Sequence, residues 1–290
     1  MSVTPIDLKH LGVERVIGVY ALETPHGPAL FDCGPASCYD ELRSRVDLTE
    51  IRHLLLSHIH LDHAGAAGHI VREHPHIEVH VHGAGAPHLV DPTRLIESAR
   101  RIYGDVLDAA YGAPLPVPSQ NVVEVEQEAA GLKAFATPGH ASHHASYMGE
   151  DGTLYAGDAT GVRIMPGTFV IPHAPPPDID LDAWNRTFDQ ILLHQPARLA
   201  LIHFGVVEGT EEVAEHVRRA RTTLDTWAER VGDGMTQDEF VEAAQADIEE
   251  TEGQGAAAYA SAAPLPQSFL GLERYWRKRR EREAAAAAAR

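Results

Sequence analysis

The segment Ser57-His58-Ile59-His60-Leu61-Asp62-His63 places three imidazoles and one carboxylate within six residues. That donor mixture suits a borderline divalent cation, zinc first, with iron and manganese as the other candidates. Residues 53–56, His-Leu-Leu-Leu, read as a buried strand leading straight into the cluster. Successive side chains of a strand point to opposite faces, so ligands crowded past its end imply a loop folded around an ion.

Three further candidate ligands also follow short strands: His140 after Leu132–Ala136, Asp158 after Thr153–Tyr155 and His203 after Leu199–Ile202. Ligands at successive strand ends form one site at one sheet edge, where α/β proteins usually place their chemistry. Gly139 and Gly157 permit sharp turns just before two of them.

The elements that must position these residues alternate through the first two hundred positions. Strands are expected at Val16–Leu22, Ala29–Phe31, Leu54–Leu56, Ile77–His82, Val122–Val125, Leu132–Ala136, Ser146–Met148, Thr153–Tyr155 and Leu199–Ile202. Helices are expected over Ala64–Glu73, 92–111 and 181–192, and residues 163–178, with their prolines, read as a long loop. After Gly209 only helical patterns remain. Val213, Val217, Ala220, Leu224, Trp227 and Val231 form one apolar stripe, and Thr236 with Glu239 makes a capping box for the next helix. Residues 251–263 read as a mobile Gly/Ala/Ser segment, followed by an Arg-rich helix.

The order H-x-H-x-D-H, then P-G-H, then G-D, then a late His resembles the metallo-β-lactamase fold superfamily, over residues from about 15 to 209. Asp32-Cys33-Gly34 matches that family's early Asp-x-Gly. The resemblance implies an α/β fold, an αββα sandwich with a helical C-terminal extension. Together with the helical patterns after Gly209 and the final alanine tract, this divides the chain into a catalytic domain at 1–209, helices at 210–283 and a disordered tail at 284–290. The resemblance also implies two divalent metal ions, one held by His58, His60 and His140, the other by Asp62, His63 and His203, with Asp158 bridging them. Asp32 and His144 would orient ligands through hydrogen bonds, and Asp62 would double as the catalytic residue that aligns the nucleophile. Within the superfamily the glyoxalase II and lactonase-like branch is the expected one. The segment Pro-Gly-His-Ala-Ser-His-His nevertheless carries His143 where glyoxalase II has glycine.

Two cations roughly 3.5–4 Å apart can share a water and lower its pKa towards 7, so hydroxide is available at neutral pH. The expected function is therefore hydrolysis of a small ester, thioester or lactone by metal-bound hydroxide, without a serine or cysteine nucleophile. The alternatives are a metal-dependent phosphodiesterase or nuclease, and a persulfide dioxygenase-like oxidoreductase with one iron held by His58, His140 and Asp158. Substrate contacts are expected from His173, Tyr103 and Phe169, with Tyr111 and Met165 as further pocket candidates. His74, His76, His80, His82 and His88 read as strand or surface positions without a function.

Composition narrows the classes. The 290-residue chain is 44% hydrophobic and 23% charged, ordinary for a globular protein. A net charge of -18 argues against nucleic acid as a partner, because a polyanion would be repelled. The Arg274–Arg282 stretch is interleaved with glutamates and reads as a solvated helix face or a homodimer contact. No apolar run approaches the ~20 residues a membrane span needs. With no legible signal peptide, the cytoplasm is the expected compartment. Cys33 and Cys38 read as two reduced thiols.

Overall fold

Leu54, Leu55 and Leu56 have no polar residue among them and no exposure to solvent. Such uninterrupted apolar runs belong to strands covered on both faces, as in parallel sheets. The computed structural model, which describes residues 3–288, places them at the centre of the first of two six-stranded sheets. That sheet comprises β1 (Ile6–Asp7), β2 (Gly18–Thr24), β3 (Gly27–Phe31), β4 (His53–Leu55), β5 (Glu78–His82) and β6 (Val122–Val125), in sequence order. Strands β1–β3 pair antiparallel, β2 and β3 through a two-residue turn, whereas β3–β6 are parallel. Parallel neighbours need crossovers of a dozen or more residues, and helices fill them: α1 (Tyr39–Arg45), α2 (Leu61–Ala64), α3 (Ala67–Glu73), α4 (Ala86–Val90), α5 (Thr93–Tyr103) and α6 (Leu107–Tyr111).

The second sheet runs β12-β11-β10-β9-β8-β7, from β7 (Glu128–Ala129), β8 (Leu132–Ala136), β9 (Ala145–Met148), β10 (Thr153–Tyr155), β11 (Arg198–Leu201) and β12 (Gly205–Glu208). The two sheets meet face to face. Phe31 of β3 lies 5.9 Å from Tyr147 of β9 and 5.4 Å from Tyr155 of β10, ring centre to ring centre. Tyr147 donates its hydroxyl to the Leu56 carbonyl at 2.7 Å, and Tyr20 donates to Leu201 at 2.7 Å, so these buried phenols cross between layers fully bonded. Leu42 of α1 and Ile70 and Val71 of α3 join the same core. Helices α7 (Leu181–His194) and α8 (Thr210–Gly232) cover the second sheet, completing an αββα arrangement.

The apolar stripe of α8 is buried from Val213 to Val231. Trp227 meets Phe240 of α9 (Gln237–Glu252), whose start carries the Thr236–Glu239 capping box in both directions. Short α10 (Tyr259–Ala262) and long α11 (Leu265–Ala288) follow. No helix among the described residues is long and apolar enough to cross a membrane.

Several expectations differ from the structure. The helix expected at 64–73 starts at Leu61 and is interrupted after Ala64, because the Ala66 N–H turns away to the Gly34 carbonyl at 3.0 Å. The 92–111 helix breaks at Gly104 into two. Strands β1 and β7, two residues each, are too short to leave a pattern in the sequence, and β12, four residues long, is not among the expected strands either. Residues 251–263 are ordered as single helical turns that bury Ala256, Tyr259, Ala262 and Ala263. The expected disordered tail is helical from 284 to Ala288, as an alanine run favours; residues 289 and 290 lie outside the described residues.

Candidate metal centre

The carboxyl end of β4 feeds His58 and His60 in a turn, then Asp62 and His63 in the single turn of α2. His140, Asp158 and His203 arrive from the ends of β8, β10 and β11. All seven converge. His60 Nδ1 lies 2.8 Å from His58 Nε2 and 2.9 Å from His140 Nε2. Asp62 Oδ2 lies 3.7 Å from His63 Nε2 and 3.6 Å from His203 Nε2. Between these two groups stands Asp158, with Oδ2 3.5 Å from His140 Nε2 and Oδ1 3.4 Å from His63 and 3.7 Å from His203.

The outer hydrogen bonds decide what the inner nitrogens offer. His140 Nδ1 donates to the His173 carbonyl at 2.8 Å, and His203 Nδ1 donates to the Val16 carbonyl at 2.6 Å. His63 Nδ1 donates to Asp32 Oδ2 at 2.8 Å. In its neutral form each ring therefore turns an Nε2 lone pair inward. His60 Nδ1 has at most one proton for two neighbouring nitrogens, and His63 Nε2 is buried with no hydrogen-bond partner. Lone pairs and carboxylates aimed at one space fit divalent cations.

The carboxylates make the space between these rings favourable to positive charge. Burial opposes a charge on His63, yet Asp158, Asp62 and Asp32 outweigh it and raise its pKa well above the ordinary value. Burial would raise Asp158, but His63, His140 and His203 hold its carboxyl well below the usual range. Burial together with neighbouring imidazoles keeps His58 and His60 neutral, as ligands must be.

Asp32 sits fully buried at φ 53°, a left-handed conformation that Asp tolerates better than most residues. It also accepts from Ser57 N at 2.7 Å and Ser57 Oγ at 2.8 Å, fixing the turn that carries His58. His144 bonds Thr137 Oγ1 at 2.8 Å and accepts the Asp158 N–H at 3.1 Å. Gly157 makes that approach possible: its φ is 51°, and a Cβ there would meet Ser57 Cβ at 2.5 Å and His144 Nε2 at 2.7 Å.

The expected substrate residues separate. Tyr103 lines a cavity of about 280 Å³ that opens on His60 and Asp62 and is roofed by α5 and Pro175–Asp178. His173 and Phe169 are not on its wall. The His173 ring bonds Ser268 Oγ of α11 at 3.3 Å, and its carbonyl holds His140. Phe169 packs between Trp227 and Tyr259, 6.3 and 6.4 Å away, joining the 163–178 loop to the C-terminal helices. The sequence reading missed Arg94, Ser98, His88 and His143 on the cavity wall. Arg94 and Ser98 are one turn apart on the helix opposite the ligand cluster, a spacing that could have flagged them.

The metallo-beta-lactamase superfamily model matches residues 14–203. No curated relative matches by sequence. A solved archaeal metallo-beta-lactamase superfamily protein from Sulfolobus tokodaii is 24% identical, with a TM-score of 0.60 over 75% of this chain and 83% of that one. A metallo-beta-lactamase family protein from Thermus thermophilus, 18% identical, matches with a TM-score of 0.64 over 96% and 93% of the two chains, so the similarity of fold extends into the C-terminal helices. A third structure, solved in a di-iron-bound form, is 23% identical with a TM-score of 0.51 over 69% and 91%. By the match over residues 14–203, the chain belongs to the metallo-beta-lactamase superfamily, whose members are mostly metal-dependent hydrolases.

Proposed function

We propose that this chain is a dinuclear metal-dependent hydrolase of a small ester, thioester or lactone. The observation that carries the reading is Asp158, whose two carboxylate oxygens are divided between the two histidine groups. His58, His60 and His140 would hold one ion and Asp62, His63 and His203 the other, with Asp158 shared. When bound, two such ions supply an activated water and polarise the substrate carbonyl.

The chain's own residues do the rest. Asp62 is the only candidate carboxylate ligand on the cavity wall, placed to accept a hydrogen bond from the attacking water and orient it. The roof of α5 and Pro175–Asp178 limits bulk water and substrate size; about 280 Å³ suits a small acyl compound rather than a polymer. Arg94, on the wall, can pair with an anionic group of the substrate. The net charge of -18 favours this reading over a nuclease. Zinc is the first expectation for the metal, and the di-iron form of one structural neighbour makes iron the second.

Metal analysis with a panel of lactone, thioester, aryl phosphodiester and persulfide substrates tests the proposal. Two ions per chain at this centre and turnover of the first two classes are expected. One iron with oxygen consumption on persulfide, or preferential phosphodiester cleavage, would overturn it.

A further inference from the structure

A second group of metal-binding side chains lies at the other end of β4. His53 opens that strand, and parallel pairing sets it beside Glu78, the first residue of β5. His80, two residues further along β5, shares that face. The three donor atoms form a compact triangle. His53 Nδ1 lies 3.1 Å from His80 Nε2 and 3.3 Å from Glu78 Oε2, and His80 Nε2 lies 3.8 Å from the same oxygen. A point equidistant from atoms so spaced is about 2 Å from each, the distance zinc takes from imidazole nitrogen and carboxylate oxygen.

Hydrogen bonding leaves this triangle short of protons. His53 Nε2 faces the His26 carbonyl at 3.3 Å, and a proton donated there leaves Nδ1 as a lone pair. That lone pair confronts a carboxylate oxygen and a second imidazole. His80 is buried, and its Nδ1 has no partner, so the pair is not a completed core network. Burial, then the neighbouring His53 and His26, lower the His80 pKa to about 4, which keeps it a neutral donor at physiological pH. Glu78 is about half exposed and opens the group to solvent.

We propose that His53, Glu78 and His80 bind a divalent cation of the zinc class, separate from the seven-residue centre, with water completing the coordination. Two imidazoles and one carboxylate with an open position form a recognised zinc donor set. The bound ion would tie the amino ends of β4 and β5 together.

Equilibrium dialysis of the full chain against Zn²⁺, read by elemental analysis, tests this with Glu78→Gln and with His53→Gln/His80→Gln. Wild type is expected to bind one zinc more than either variant. Loss of a ligand should weaken that site by more than the roughly 10–100-fold that outer-shell changes cost. Should the double variant misfold, Glu78→Gln, altered at a half-exposed strand end and checked by circular dichroism, decides alone. Equal zinc stoichiometry and affinity in wild type and a folded Glu78→Gln would overturn the proposal and leave a proton as the ion shared by the group. The count at the catalytic centre cancels in this comparison, so the outcome is independent of how many ions that centre holds.

Discussion

The two ends of β4 gather histidines in contrasting ways. At the carboxyl end three candidate ligands are each backed by a partner from a different part of the chain: Asp32 behind His63, Val16 behind His203, the His173 carbonyl behind His140. At the amino end His53 has one backbone partner and His80 none, and the carboxylate is half exposed. The difference teaches that donor atoms alone give affinity for a cation. A shell braced from behind, with a cavity against it, is what chemistry additionally requires.

The largest test of that contrast is Asp158→Ala. Removing the one residue shared by both histidine groups should lower kcat/KM by more than about 100-fold and reduce the metal count, read by kinetics and elemental analysis. A variant that retained both full turnover and full metal content would break the comparison at its stronger end.

Bracing is tested next. Asp32→Asn keeps one acceptor oxygen where the carboxylate accepts three hydrogen bonds, from Ser57 N, Ser57 Oγ and His63 Nδ1. A loss of roughly 10–100-fold in metal affinity or turnover is expected, although Asp32 itself is not among the candidate ligands. Unchanged metal affinity and turnover would show that His63 needs no such partner.

Arg94→Ala addresses the cavity. For an anionic substrate KM should rise up to about tenfold while kcat holds, because the lost contact is made equally in ground and transition states. An equal fall in kcat would instead put Arg94 among the groups that act on the transition state.

A buried histidine outside both groups supplies a pH control. His216 of α8 bonds the Thr160 carbonyl at 2.9 Å, and burial, then Arg163, lower its pKa to about 3. The unfolded chain therefore takes up this proton first, so stability rises with pH between about 3 and 6.5 and is fully present above that window. At pH 5 the loss relative to high pH is on the order of 2 kcal/mol. His216→Gln should flatten the decline of Tm below pH 6.5 relative to wild type, measured by thermal melts across pH; parallel curves would refute it. The smallest effect is expected from Glu78→Gln, with unchanged kcat/KM.

Much of the carboxyl-end centre was legible because its residues lie just past strands that themselves leave an apolar signature, and because four of them are nearly contiguous. What supports them was less so. The His173 carbonyl acts through the backbone, which carries no residue-type signal, so the sequence suggested its side chain instead. Phe169 looked like a pocket residue because its loop borders the site; only the packing of α8 and α10 reveals the other neighbours it has. The His53 group was hidden because His53 and His80 lie 27 positions apart and meet only through strand register. Alternation along Glu78–His82 is also what any half-buried strand would show.

The bond from the His173 ring to Ser268 has a consequence for where the protein can be divided. Ser268 is wholly buried in α11 and also receives the Ala174 N–H at 3.2 Å. Gly271, one turn on, lets the helix backbone rest against the Ala174 carbonyl, where any Cβ would collide. A chain ended at residue 209 would retain all seven candidate ligands yet lose the buttress behind the segment whose carbonyl aligns His140. The part of the chain that must fold together to align His140 is then the sandwich with its last helix.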